Sequence, residues 1–338
     1  MPKIRILSID GGGLRGLIPV LILKEIEKRS GKRITDLFDL VAGTSTGGLI
    51  ACGITVSDDG KTPMYTLSQI EDIYTKQGKD IFPKSNFIKS LIMKVSSLKN
   101  PKYSATGLQN VLTGLLGQKR ITDCIRPIFI SSYDLNNNEA ILFKSRHAQN
   151  YPENNALLVD VCRATSAAPT YLPAFDLNYE NKQRVCIDGG IYMNNPTVGA
   201  IIELTKYGSE DPYKLPNLKL DDIAVLSLGT GHYNSEIARH KVEGWGVLDW
   251  ATRITDVMMQ AVNQTTNYEA LELTADANFL RINPLIEDAR YAEMDDSSEE
   301  AMAYFADLVN KEVLGNSALM KQLDQFLATI QSTSDKLA

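Results

Sequence analysis

The stretch Phe38-Asp39-Leu40-Val41-Ala42-Gly43-Thr44-Ser45-Thr46-Gly47-Gly48-Leu49-Ile50 decides how this chain reads. Leu40 to Ala42 is an apolar run of the kind that forms a buried strand, and Leu49-Ile50-Ala51-Cys52 reads as helix. Ser45 stands at the turn between them, inside Gly43-x-Ser45-x-Gly47, the spacing of a nucleophile elbow. A serine on so sharp a strand-to-helix turn needs strained backbone angles. Side chains two residues to either side would collide where strand and helix cross, so glycine is used there. The turn pushes one hydroxyl outward at a helix N-terminus, where unpaired N–H groups favour negative charge. Taken alone, the same residues also fit a plain glycine-rich turn.

Working outward, Ile4 to Ile9 is a β-rich run followed by Asp10-Gly11-Gly12-Gly13-Leu14-Arg15-Gly16. Leu17 to Arg29 predicts a helix with Pro19 in its first turn and Gly31 as a stop. Strand and helix alternate from here into the elbow, which points to a parallel sheet covered on both faces. Further along, residues 106–116 read as a helix, residues 127–133 and 140–144 as a strand pair around Asn136-Asn137-Asn138, residues 157–167 as a helix, and 184–187 as a short strand entering Asp188-Gly189-Gly190. Residues 223–228 form another strand, ending in Gly229-Thr230-Gly231. The remainder reads as mostly helical, over about 245–272, 297–314 and 317–331. The expectation is one α/β domain over 1–338, with a core at about 4–310 and a helical C-terminal flank at 311–338.

Residues 57–105 differ: they read as glycine and serine loops in which lysine accumulates. From 76 to 102 there are seven lysines and one acid, Asp80, and Phe87, Ile88, Leu91, Ile92, Val95 and Leu98 fall on one helical stripe. Such a stripe packs on a core or meets a membrane surface.

Composition is that of an ordinary globular chain, with 43% hydrophobic and 22% charged residues among 338. A net charge of −6 argues against a general nucleic-acid binder. The four cysteines, Cys52, Cys124, Cys162 and Cys186, make no CxxC pair and sit in apolar settings, which predicts buried free thiols. Met1-Pro2-Lys3 leads straight into a strand without a signal peptide, and no apolar run is long enough to span a bilayer. A cytoplasmic protein able to touch a membrane surface is expected.

A serine nucleophile needs a base and an oxyanion site. The Gly11-Gly12-Gly13 loop can turn its N–H groups into one concavity at a helix start, with Arg15 as a nearby charge. The same loop, as Gly11-x-Gly13-x-x-Gly16, fits a dinucleotide fingerprint, whose acid Asp39 could supply, although Asp39 begins the second strand instead of ending it. For the base there are two readings. Asp188, before two glycines that open space around its carboxylate, could serve directly. The order Ser45, Asp188, His232 could also make a triad.

The chain resembles the patatin-like phospholipases. The resemblance is carried by Ser8-Ile9-Asp10-Gly11-Gly12-Gly13-Leu14-Arg15-Gly16, by Gly43-Thr44-Ser45-Thr46-Gly47-Gly48 and by Asp188-Gly189-Gly190. It is carried also by Ala164-Thr165-Ser166-Ala167-Ala168-Pro169-Thr170-Tyr171, by Leu226 to Gly231 and by Glu293-Met294-Asp295-Asp296. It implies a three-layer α/β/α fold with a mostly parallel central sheet and a serine–aspartate dyad without histidine: Ser45 as nucleophile and Asp188 as general base. It further implies an oxyanion hole from Gly11, Gly12 and Gly13 supported by Arg15, no metal and no cofactor. The implied substrate is a phospholipid or galactolipid, met at a transient membrane contact. Other outcomes compatible with the resemblance are an acyltransferase, a small-ester esterase, a nucleotide-activated phospholipase of bacterial antiphage defence, or a catalytically silent lipid-binding module.

Overall fold

The computed structural model describes residues 3–83, 100–234 and 242–334. The apolar stripe from Phe87 to Leu98, with Lys84, Lys89, Lys94 and Lys99, lies outside the described residues, as does His240. The elements run β1 (Ile4–Ile9), α1 (Leu17–Ser30), β2 (Leu40–Thr44), α2 (Thr46–Thr55), α3 (Leu67–Thr75), α4 (Thr106–Leu116), β3 (Ile128–Asp134), β4 (Glu139–Lys144), α5 (Leu158–Thr165), β5 (Phe175–Tyr179), β6 (Lys182–Asp188), α6 (Thr197–Tyr207), β7 (Ile223–Leu228), α7 (Val247–Leu273), β8 (Phe279–Ile282), α8 (Glu299–Leu308) and α9 (Ser317–Ser334).

One sheet holds all eight strands. Its parallel part is β3-β2-β1-β7-β8, in which β1 pairs with both β2 and β7. Strands buried on both faces read as near-continuous apolar runs, and every residue of β2 and β7 is buried. Alternation along them separates two cores. Ile4, Ile6, Leu40, Ala42, Ile223 and Val225 face one side, where Ala200, Ile201 and Leu204 of α6 and Ala270 of α7 close over them. Leu7, Ile9, Val41, Leu226 and Leu228 face the other, beneath α1, α2, α5 and, from the C-terminal part of the chain, Phe305, Leu323, Phe326 and Ile330. The result is the three-layer α/β/α arrangement with a mostly parallel central sheet.

The antiparallel part positions the site. β4 pairs along β3 from Phe129 to Asp134 and so occupies one edge of that strand. The other edge is shared. β2 takes it as far as Thr44 opposite Ser131, and β6, running the opposite way, takes it from Asp134 back to Ser132, which faces Asp188. The two strands therefore approach head to head, and the residue after β2 meets the last residue of β6.

Four elements differ from the sequence reading. β5 and β8 are strands where none was expected, α3 lies in the stretch read as loops, and α6 follows Pro196. Each is short, so tertiary packing outweighs local pattern. Cys52, Cys162 and Cys186 are buried free thiols, as expected, and Cys124 is free and half-buried.

The crossing of β1 and α2 sets a tight limit. A Cβ at Gly47 would lie 2.1 Å from the Ile9 carbonyl oxygen, which belongs to the backbone and cannot swing away. Gly47→Ala should cost about 3 kcal/mol in urea unfolding, the scale of overpacking. Gly114 sits in α4 with nothing within 4 Å of an added Cβ. Gly114→Ala should instead stabilise by about 0.5–1 kcal/mol, because a helix-interior glycine gains rigidity there.

Candidate active site

Ser45 occupies the turn between β2 and α2 with φ 53° and ψ −122°, a left-side conformation that a serine adopts only when its surroundings enforce it. Two constraints do so. A Cβ at Gly43 would lie 2.3 Å from the Gly47 carbonyl oxygen, so the turn closes on itself. The Ser45 N–H is held by the Thr165 hydroxyl at 2.8 Å, from the end of α5. Buried Ser45 and buried Asp188 line the same cleft.

Asp188 ends β6. Its N–H donates to the Ala167 carbonyl at 3.0 Å, and its Oδ1 accepts the Gly190 N–H at 2.7 Å. Burial, opposed by the bonds from Gly190 and Ser45, lifts the carboxyl to about 6. Thr165 and Ala167 thus fasten Ser45 and Asp188 through one short segment. Both lie in the block Ala164–Tyr171. No spacing rule announces that a threonine hydroxyl there would reach the Ser45 backbone.

The glycine loop after β1 lies beside the pair. A Cβ at Gly11 would come within 3.3 Å of the Ser45 Cβ. The Gly11 N–H is taken by the Asn194 carbonyl at 3.1 Å. Gly12 and Gly13 line the cleft with Ser45 and Asp188, and Gly13 has φ +58°. The loop is fixed from both sides: Thr230 donates its hydroxyl to the Gly11 carbonyl at 2.7 Å, and Leu14 donates its N–H to the Met294 carbonyl at 2.8 Å. Arg15 donates to the Ala292 carbonyl at 3.0 Å and does not line the cleft, so its contact is to the segment that carries Met294. Buried Asp10 receives both terminal nitrogens of Arg281, reaching across from β8.

Asp39 does not serve a nucleotide. It holds Arg5 through Oδ1 at 2.6 Å at the start of β2, the opposite end of the sheet from the glycine loop. Of the histidines among the described residues, His232 is exposed and its Nδ1 lies 3.1 Å from the Asn283 carbonyl, while His147 lies against Arg146 beyond β4. Neither lines the cleft, and the Ser45–Asp188–His232 arrangement is not formed. Among the described residues, no three His, Cys, Asp or Glu side chains converge into a set that could hold a metal ion.

The cleft above Ser45 is walled by Leu14, Leu49, Ile73, Leu108, Ile191 and Met259. Its floor is polar and its walls are apolar, which suits a substrate with one ester and a long hydrocarbon. Next in the chain after Met294 of the cleft wall, Asp295 accepts Tyr103 on Oδ2 at 2.7 Å and pairs with Lys102.

The profile described as patatin-like phospholipase matches residues 7–201. Patatin-like protein 2 of Arabidopsis thaliana is 37% identical over 305 residues, spanning 82% of this chain and 75% of that protein. The chain belongs to the patatin-like phospholipase family. Patatin-like protein 1 of Oryza sativa subsp. indica is 33% identical over 307 residues, spanning 83% of this chain and 74% of that protein. Among solved structures, VipD from Legionella pneumophila aligns over 92% of this chain and 67% of its own, with TM-score 0.44 and 11% identity. Patatin-like phospholipases are generally lipid acyl hydrolases. Among the described residues no helix is long and apolar enough to cross a membrane.

The position of Asp188 makes a stability prediction. Its folded pKa of about 6 lies above the ordinary carboxylate value, so the folded state binds the proton more tightly than the unfolded state. Ionised Asp188 therefore costs stability, in full above about pH 6 and not at all below about pH 4. Asp188→Asn should raise unfolding stability at pH 8 by about 2–3 kcal/mol, and the gain should fade as pH falls to about 4. Urea titrations of both proteins across that range check this.

Proposed function

We propose that this chain is a lipid acyl hydrolase in which Ser45 is the nucleophile and Asp188 the general base. The observation carrying the proposal is the buried Asp188 carboxyl beside a serine that stands on a strained elbow at the floor of an apolar cleft, with burial raising that carboxyl to about 6. A carboxylate at its ordinary pKa is a weak base. Lifted to about 6, it remains ionised at neutral pH and takes a proton more readily.

Ser45 Oγ attacks the acyl carbonyl and its proton passes to Asp188. The tetrahedral oxygen is received by the Gly12 and Gly13 N–H groups, since that of Gly11 is bonded to Asn194. Arg15 acts at one remove, holding the Ala292–Met294 backbone against which the loop rests. Collapse breaks the ester bond, and Asp188 returns the proton to the departing lysolipid or alcohol. Asp188 then takes a proton from water, whose oxygen attacks acyl-Ser45; the acyl–Ser45 bond breaks, Asp188 gives that proton to Ser45 Oγ, and the fatty acid leaves. An alcohol in place of that water would make the reaction an acyl transfer. The substrate class is a phospholipid or galactolipid.

Three measurements test the proposal. Ser45→Ala and Asp188→Asn should each lower fatty-acid release from phosphatidylcholine or galactolipid by about 10⁴-fold, and the double variant should be no worse, because the two act as one unit. His232→Ala should keep most activity. If His232→Ala is as inactive as Ser45→Ala while remaining folded by circular dichroism, the dyad is wrong. The pH profile of kcat/KM should fall on the acid side with a midpoint near 6, as the base is protonated, and that limb should persist in His232→Ala. Gly12→Ala places a Cβ 2.1 Å from the Thr230 hydroxyl and must displace the loop. It should cost about 10²-fold in turnover, the scale of one lost oxyanion donor.

A further inference from the structure

Among the described residues, six polar side chains line the cleft: Ser45, Thr46, Tyr74, Ser166, Tyr171 and Asp188. Five have a role or a partner. Ser45 and Asp188 are the reacting pair of the proposed mechanism, Thr46 and Tyr74 join their hydroxyls at 2.6 Å, and Tyr171 donates to the Glu293 carboxylate at 3.4 Å. Ser166 is the sixth. Its N–H donates to the Cys162 carbonyl at 3.1 Å and its carbonyl accepts the Ala168 N–H at 2.8 Å, so its backbone is satisfied. Its hydroxyl is not. Ser166 is 8% exposed, and its Oγ is closed off from solvent without a hydrogen-bond partner. A buried hydroxyl left unpaired costs free energy, a cost that a ligand in the cleft can remove.

The position of Ser166 is closely fixed. The Ser132 hydroxyl of β3 donates to the Ala164 carbonyl at 3.1 Å, the Thr165 hydroxyl holds the Ser45 N–H at 2.8 Å, and the Ala167 carbonyl holds the Asp188 N–H at 3.0 Å. The two chain neighbours of Ser166 are thus the clamps on the nucleophile and on the base. Strand order gives the side on which it stands. In the order β6-β3-β2-β1, Ser45 follows β2, the glycine loop follows β1, and Asp188 ends β6. Helix α5, which delivers Ser166, packs on β3, β5 and β6. The glycine loop and Ser166 therefore flank Ser45 from opposite sides. An ester whose carbonyl oxygen enters the glycine loop has its other oxygen toward Asp188, which must hand it a proton. That is the side of Ser166.

We propose that Ser166 is a catalytic residue of the leaving-group side: its hydroxyl donates a hydrogen bond to the ester oxygen that departs, stabilising the charge that grows there as the carbon–oxygen bond breaks. The proposal rests on the Ser45–Asp188 reading. The Ser166 proton is not transferred. Asp188 supplies the proton that the departing oxygen takes, and Ser166 holds that oxygen in place to receive it. The need for such a donor depends on the leaving group. An alkyl alcohol, such as the glycerol of a lipid, departs with charge concentrated on one oxygen and gains most from a preorganised donor. A nitrophenolate spreads its charge over the ring and gains little.

Two dissolved butyrate esters with the same acyl group and different leaving groups test this: dibutyroylphosphatidylcholine and p-nitrophenyl butyrate. The quantity to compare is kcat/KM, which for an acyl-enzyme covers the steps through loss of the first product. Ser166→Ala should lower it by about 10–10²-fold on the phosphatidylcholine, the scale of a hydrogen bond to a charged oxygen, and by far less on the nitrophenyl ester. In urea, Ser166→Ala should unfold at a midpoint no lower than that of the parent, because it removes an unpaired hydroxyl and little volume. Ser166→Cys, which keeps the shape with a weaker donor, should show the same selective loss. Equal losses on the two esters would make Ser166 a support of the fold and overturn the proposal, and unchanged rates on both would overturn it as well. A parent protein that cleaves neither ester would overturn the Ser45–Asp188 reading and this one with it. A parent that cleaves both, with Ser166→Ala losing them equally, would remove the Ser166 role alone.

Discussion

β3 has two edges and three partners, and the arrangement at the site follows from that mismatch. β4 takes one edge along six residues, which leaves β2 and β6 to divide the other. Because β2 runs with β3 and β6 runs against it, the division can only be head to head. The serine that follows one strand and the aspartate that ends the other are then brought together by backbone pairing before any side chain contributes. The Ala164–Tyr171 block strengthens the junction by binding Ser45 through Thr165 and Asp188 through Ala167. A Ser45–Asp188 pair built this way has its geometry fixed by the sheet, which leaves the surrounding loops free to shape the cleft.

The junction carries two energetic costs. Ser45 is held at a positive φ, and Asp188 keeps a carboxylate away from water. Both are local penalties of the kind that concentrate at functional sites and that the rest of a fold must offset. Here the offset is visible in the two apolar layers over β1, β2 and β7, where the strand residues are almost wholly enclosed.

Much of this was legible in the sequence, for identifiable reasons. The parallel strands must be apolar on both faces, so β1, β2 and β7 announce themselves. The elbow needs small residues at Gly43 and Gly47 because backbone passes within reach of any Cβ there, so its spacing is readable too. Other features were hidden. β8 is four residues long, and its role comes from pairing with β7 and from Arg281 clasping Asp10, a contact between residues far apart in the chain. α3 left a usable trace in Thr66 and Gln69, which form a capping box three residues apart. That trace was lost among the glycines and serines around it. The Gly11 loop looked uniform in sequence, but the Asn194 carbonyl occupies its first N–H and distinguishes it from the next two. Nothing near Gly11 in the chain signals that partner.

The shared edge of β3 also bears on how the protein is made. Chains emerge N-terminus first, so β2 and the elbow leave the ribosome long before β6. Until β6 has paired back onto Ser132 to Asp134, Ser45 has no carboxylate beside it, and on the proposed mechanism its hydroxyl is inert. A nascent or prematurely ended chain lacking β6 carries the serine without the means to use it. On the proposed mechanism, ester cleavage would in this way be withheld during synthesis by strand order alone.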